Sequence, residues 1–396
     1  MEPNAFARAR ENARYTQEDV AAALGVARPM ISYWENGTRS PAPRQLQLLA
    51  RLYGLEVDQL LEGGAGSGPD FAAMLYRKAG DTMSAQTRRG LHDFVSFLDT
   101  YAKLLRATEF DPRPMRQSPF LLAEGFESAD DARRKAEEVR AHLRLGLGPI
   151  VDVDDLCELL GITVFRTSMG ADLGSSVSGA FFRHPEVGFS IVVNLDMTRG
   201  RRRFTLAHEI GHALLHSNAR DSAVVSGPKK DPRERFADTF AGEFLMPTEG
   251  IRRAVEEMGV GRRILDPADV VHLQRFYNVS WVTALVRLRQ TKVISNDDFD
   301  GWQDIRPTAF AASLGYDTAS DDLGERDPAD WGLQRFPRVF VRLLRLAVRS
   351  GKVSAETAAD HASVPVEEIE DLVSDEGKRT TGAHERELSE FSSILR

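Results

Sequence analysis

The stretch Phe204–His216, FTLAHEIGHALLH, decides how the chain is read. It contains His208, Glu209 and His212 in the order His-Glu-x-x-His. On a helix, residues four apart lie one above the other, so both imidazoles face a common point. Two imidazoles on one face can grip a zinc ion, and Glu209, one position round, can reach a water at that metal. Leu206, Ile210, Ala213 and Leu214 are spaced to pack inward, as an amphipathic helix requires. A metal-binding helix is therefore the expected centre of the molecule.

The bulk numbers bound what surrounds it. At 396 residues the chain exceeds one compact core, and two to three domains are expected. Its 42% hydrophobic and 28% charged residues make an ordinary globular composition. No run of about 18 apolar residues occurs, so no membrane span is expected. The N-terminal stretch Met1–Val20 lacks the apolar core of an export signal. The single cysteine, Cys157, excludes an internal disulfide and any Cys-based zinc cluster. Its place among Val153, Leu156 and Leu160 reads as a small buried hydrophobe. The cytoplasm is the expected compartment. A net charge of -8 offers no global attraction to nucleic acid, so DNA binding must rest on a local surface.

Residues 1–62 read as a self-contained set of five short helices. Thr16 is a natural N-cap with Asp19 at the capping-box position, and Gly25 supplies a tight turn between two helices. Pro29 falls in the first turn of the next helix, where it is tolerated. Two helices around a glycine turn, the second with an exposed Arg/Ser/Tyr face, form the helix-turn-helix arrangement. The segment Tyr15–Leu61, YTQEDVAAALGVARPMISYWENGTRSPAPRQLQLLARLYGLEVDQLL, resembles the Cro/repressor-type (XRE) helix-turn-helix family along its whole length. The resemblance implies that Gln17 touches a phosphate and that Arg28, Met30, Ser32 and Tyr33 face the major groove of an operator. Arg8, Arg10, Arg39 and Arg44 are expected to form one positive rim. With seven Lys/Arg against eight Asp/Glu over residues 1–62, non-specific affinity should be weak. A reader of palindromic DNA is also expected to act as a homodimer.

Residues 63–128 read as a flexible linker and helical connector. Gly63–Pro69 is the linker, and Phe71–Gly80 and Ala85–Ala107 are helical, with a prolyl break at Asp111–Pro119. The longer helix is apolar at Leu91, Phe94, Val95, Leu98, Tyr101 and Leu105. From Ala129, a charged helix Asp130–Leu145 reads as a solvated face, and a second helix covers Asp152–Leu160. Short strands are expected at Ile162–Arg166, Val177–Phe182 and Gly188–Asn194. An edge strand beside the metal helix could hold an extended peptide by main-chain hydrogen bonds.

A catalytic zinc takes three protein ligands and leaves a position for water. His216, four residues beyond His212, would spread three histidines over two turns, so it is read as structural or as a supporting residue. Glu234 and Glu243 lie on the next helix, nine residues apart and hence on opposite faces. Glu234 has Asp238 one turn later on its own side. Glu234 can bind the metal while Asp238 fixes the tautomer of a ligand histidine. Glu243 is read as a surface charge. His/Glu ligation admits zinc or manganese.

RRRFTLAHEIGHALLH followed by ERFADTFAGEFLMP resembles the ImmA/IrrE family of zinc metallopeptidases, over about Ala129–Pro247. The resemblance implies His208, His212 and Glu234 as zinc ligands and Glu209 as catalytic base. It also implies a bacterial or phage regulator that cuts a repressor protein. The expected fold is α+β and mostly α: a five-helix DNA-binding domain, a zincin-like helical peptidase domain (129–250) with a small sheet, and a helical C-terminal region. Residues 251–295 form a helical extension with a second helix-turn-helix outline, expected to pack behind the peptidase. Residues 296–396 hold a loop-rich linker, Asn296–Trp331, and a last helical unit. The rival reading is an XRE-type regulator or antitoxin-like protein whose peptidase-like domain only senses a ligand or partner. Glu209 argues against it, since metal binding alone does not need that carboxylate.

Overall fold

The computed structural model describes residues 5–12, 15–53, 55, 57–62, 84–110, 128–170, 177–216, 223–225, 232–259, 265–318 and 328–374. The expected Gly63–Pro69 linker, the Phe71–Gly80 helix and the Asp111–Pro119 break lie outside these residues.

Helices α1 (Ala5–Asn12), α2 (Gln17–Leu24), α3 (Arg28–Glu35), α4 (Pro43–Tyr53) and α5 (Val57–Glu62) close around Phe6, Val20, Ile31, Trp34, Leu49 and Leu60. The Thr16 hydroxyl accepts from Asp19 N at 3.1 Å and the Asp19 carboxylate accepts from Thr16 N at 2.9 Å. This reciprocal capping box fixes where α2 begins.

Next comes α6 (Ala85–Thr108), whose stripe Leu91, Phe94, Leu98, Tyr101 and Leu105 is buried. It covers one face of a sheet ordered β1-β3-β2-β4. Strand β1 (Thr163–Thr167) runs parallel to β3 (Gly188–Asn194). Strand β2 (Gly179–His184) pairs antiparallel with β3 and with β4 (Ala223–Val225), a short edge strand that the sequence reading did not anticipate. Alternation along the strands splits the sheet's residues between two cores. Phe165, Ala180, Phe182 and Val192 face α6 and a C-terminal helix trio, α16 (Arg338–Arg349), α17 (Ala355–Ala362) and α18 (Val366–Val373). Val164, Phe181, Phe189, Ile191 and Val193 face the other way, into the largest core.

That core is built from α7 (Ala129–His142), α8 (Val153–Leu159), α9 (Arg199–His216), α10 (Pro232–Leu245), α11 (Thr248–Glu257), α12 (Pro267–Tyr277), α13 (Trp281–Gln290), α14 (Asn296–Trp302) and α15 (Pro307–Ser313). Cys157 is fully buried within it, and burial pushes its thiol well above the usual range.

Two expectations fail here. The tract after Asn296 is not a loop over its first half, because its polar residues are helix signals. Ser295 and Asp298 form a capping box for α14, and Pro307 sits in the first turn of α15. Nor is α7 merely a solvated face: Lys135 and Arg140 are buried. The Arg140 guanidinium donates to the carbonyls of Gly146, Gly148 and Phe244. It thereby ties the loop after α7 to the end of α10. The α12–α13 pair has a helix-turn-helix outline, but Trp281, Ala284, Leu285, Arg287 and Leu288 of its second helix are buried. That face is therefore part of the core.

Among the described residues no helix is long and apolar enough to cross a membrane.

Candidate metal centre and nucleic-acid face

Helix α9 brings His208 and His212 onto one face, with ring centroids 4.6 Å apart and their Nε2 atoms separated by 3.0 Å. Helix α10 supplies Glu234, whose carboxylate oxygens lie 3.3 Å from His208 Nε2 and 3.2 Å from His212 Nε2. The approach depends on Gly211. A Cβ there would stand 3.2 Å from the Ala237 Cα and 3.2 Å from the Phe240 ring, so even one methyl group would press the helices apart. The Asp238 carboxylate lies 2.9 Å from His208 Nδ1, the position that holds Nε2 free to face Glu234 and His212.

These three donors fit a metal ion. A tetrahedral centre with bonds of about 2.0–2.1 Å has donor–donor edges of about 3.3 Å, and the three atoms lie within 4.8 Å of one another. All three side chains are buried. The electrostatics point the same way. Burial alone would lower the His208 pKa, but the carboxylates of Asp238, Glu234 and Glu209 outweigh it and raise it to about 10. Burial alone would raise the Glu234 pKa, but His208 and His212 hold it down at about 2. A cluster that keeps a proton on an imidazole and off its carboxylate is one that stabilises a cation at its centre.

Glu209 is fully buried beside this cluster. Packed next to it is Gly179, at the start of β2. A Cβ at Gly179 would lie 3.4 Å from Glu209 Oε1 and 2.5 Å from the Thr205 methyl. Glycine there lets the start of β2 pack closely on α9, with the Thr205 methyl where a Cβ would stand.

Glu243 corrects the sequence reading. Instead of a surface charge it is 1% exposed, and its carboxylate accepts from Thr248 N at 2.6 Å, Thr248 Oγ1 at 2.7 Å and the buried Arg287 at 2.5 Å. Helix α9 reaches His216, whose side chain lies outside the described residues.

On the N-terminal domain, Arg28 and Tyr33 of α3 are exposed, and Met30 and Ser32 are half-buried on the same helix. Arg28 pairs with Glu18 at 2.9 Å, an exposed contact that contributes little to stability. The Arg39 guanidinium lies 5.5 Å over the Tyr33 ring. Gln17 Nε2 donates to Glu35 at 2.8 Å. Arg10 does not join a positive rim: it donates to the buried carboxylate of Glu35 at 2.6 Å and to the Tyr15 carbonyl at 2.8 Å.

Comparison with known proteins adds to this geometry. Residues 157–289 match the family model described as the IrrE N-terminal-like domain. Residues 6–60 match a helix-turn-helix model. Metallopeptidase ImmA of Bacillus subtilis (strain 168) is 24% identical over 106 residues, which cover 26% of this chain and 59% of that protein. The uncharacterized immunity region protein 2 of Bacillus phage phi105 is 28% identical over 102 residues, covering 24% of this chain and 63% of that protein. The chain thus spans about three-fifths of the length of the curated relatives it matches.

Proposed function

From a chain that joins an XRE-type helix-turn-helix domain to an IrrE/ImmA-like metallopeptidase domain, we propose a transcriptional regulator with zinc-dependent endopeptidase activity. Its substrate is another protein, a transcriptional repressor, and its compartment is the cytoplasm. The observation that carries this reading is the placement of Glu209. A structural or sensing metal site needs the donors His208, His212 and Glu234 alone. Here a further carboxylate, which metal binding alone does not need, is buried beside them.

Bound zinc would polarise the scissile carbonyl and make an attacking water more acidic; manganese would suit the same ligands. Glu209 takes a proton from the water as it attacks, then delivers that proton to the leaving nitrogen as the C–N bond breaks. Asp238 holds the His208 ring in the tautomer and orientation that ligation requires. Strand β4 is the sheet edge next to β2, and the substrate backbone adds there in extended form. On the DNA side, Gln17 and Arg39 meet phosphates, and Arg28, Met30, Ser32 and Tyr33 meet base edges of a palindromic operator bound by a homodimer.

The test is a Glu209→Gln variant, incubated beside the wild type with the repressor proteins encoded next to its own gene. Wild type should cut one of them. The variant should hold the same single zinc and lose at least about a hundredfold in rate. Undiminished cleavage by the variant contradicts this mechanism. Equal inactivity of both proteins, with operator binding intact, favours the rival in which the domain only senses a ligand.

A further inference from the structure

We propose that Arg201 is a specificity residue that receives a carboxylate of the peptide substrate. The inference rests on the peptidase reading above and adds the chemistry of what is cut. Arg201, Thr205 and Glu209 stand at successive four-residue steps on α9 and so share one face of that helix. All three meet the same short segment, Ser178–Gly179. Arg201 Nη2 donates to Ser178 Oγ at 3.3 Å, the Thr205 methyl packs where a Gly179 Cβ would stand, and Glu209 Oε1 lies beyond it.

That segment is held firmly. Ser178 O accepts from Asn194 N at 3.0 Å, and the fully buried Asn194 side chain donates to Gly170 O at 2.8 Å and to Val177 O at 3.3 Å. The guanidinium is therefore presented at a fixed place along the row that leads to Glu209. Eight residues of helix span about 12 Å, and an extended peptide advances about 3.3 Å per residue. A substrate side chain within four residues of the scissile bond can reach it.

Arg201 differs from its neighbours in what it binds. Arg202 donates to the carbonyls of Leu195 and Met197, and Arg203 to those of Ile150 and Val151. Both are buried and serve the fold. Arg201 is half-buried, and among the described residues its one hydrogen-bond partner is a neutral hydroxyl and no carboxylate lies within ion-pair distance of it. A guanidinium is a planar fork of donors suited to a carboxylate. Two sources carry that group: an Asp or Glu side chain of the substrate, or its free C-terminus.

The experiment uses a randomised decapeptide pool, half of it C-terminally amidated, with the zinc-loaded full chain. The Glu209→Gln protein captures peptides without cutting them, and the wild type reports cleavage. Retained peptides should be enriched in Asp and Glu at one position, by about tenfold or more. If free C-termini are enriched over amidated ones instead, with no Asp or Glu position selected, the carboxylate is the terminal one. Adding Arg201→Gln should erase the preference, Arg201→Lys should restore part of it, and Arg201→Glu should favour Lys and Arg. Zinc content and circular dichroism should match across the series.

Capture with neither an Asp/Glu preference nor a preference for free C-termini, no capture at all, or a preference unchanged in Arg201→Gln overturns the proposal. Acid-selective capture by a protein whose wild type cuts nothing leaves the carboxylate site standing and removes the peptidase reading instead.

Discussion

Helix α10 carries two buried glutamates nine residues apart, and they do opposite things. Glu243 meets a cation that the chain supplies. Arg287 and Thr248 satisfy both carboxylate oxygens, leaving a closed network inside the core. Glu234 meets two imidazoles whose Nε2 atoms face each other at 3.0 Å. As neutral rings these are acceptors for a positive charge, and together with the carboxylate they leave a place for one. Burial alone does not distinguish a site from a core. What distinguishes them is whether the buried charge finds its counter-charge within the chain.

Two perturbations probe that contrast and a third extends it to another buried ionisable group, from the largest expected effect to the smallest. Arg287→Met leaves the Glu243 carboxylate buried with no counter-charge, and should cost about 3–5 kcal/mol of stability. Its zinc content should be unchanged, as measured by urea unfolding beside metal analysis. Loss of zinc without loss of stability would invert the roles assigned to the two glutamates.

Asp238→Asn keeps the ligands and removes the charge behind His208. Zinc affinity should fall about 10- to 100-fold, read by competition with a chelator. No change would mean that the 2.9 Å contact to His208 does not orient the ring.

The third perturbation leaves the site and tests how the N-terminal domain is attached. His92 of α6 is buried and bonds the Tyr53 backbone, and burial lowers its pKa to about 4. Nearby, Arg88 pairs with Asp19 at 3.1 Å. A pKa depressed on folding means the unfolded chain binds more protons between about pH 6.5 and 4, so stability falls as pH drops through that window. The loss should be about 1 kcal/mol by pH 5.5. A His92→Gln variant should show a shallower loss; an identical pH dependence would exclude His92 as its source.

Much of the site could be read from spacing alone. The four-residue step of His208 and His212 places two rings on one helix face, and the four-residue step of Glu234 and Asp238 places a carboxylate and its neighbour on one side of the next. The signals that failed were those whose partner is distant in the chain. Arg287 lies 44 residues from Glu243, and Phe244 O lies 104 residues from Arg140, so neither burial had a local pattern. The Asp- and Pro-rich tract after Asn296 misled for the opposite reason, since its polar residues are caps of short helices. Strand β4 has three residues, too few for alternation to register.

The most direct measurement of the central claim is the metal content of the purified full chain, beside His208→Ala and Glu234→Ala. One zinc per chain in the wild type, lost from both variants while Glu243→Gln retains it, is the expected result. A wild type that takes up no metal, or variants that keep it in full, would contradict the account.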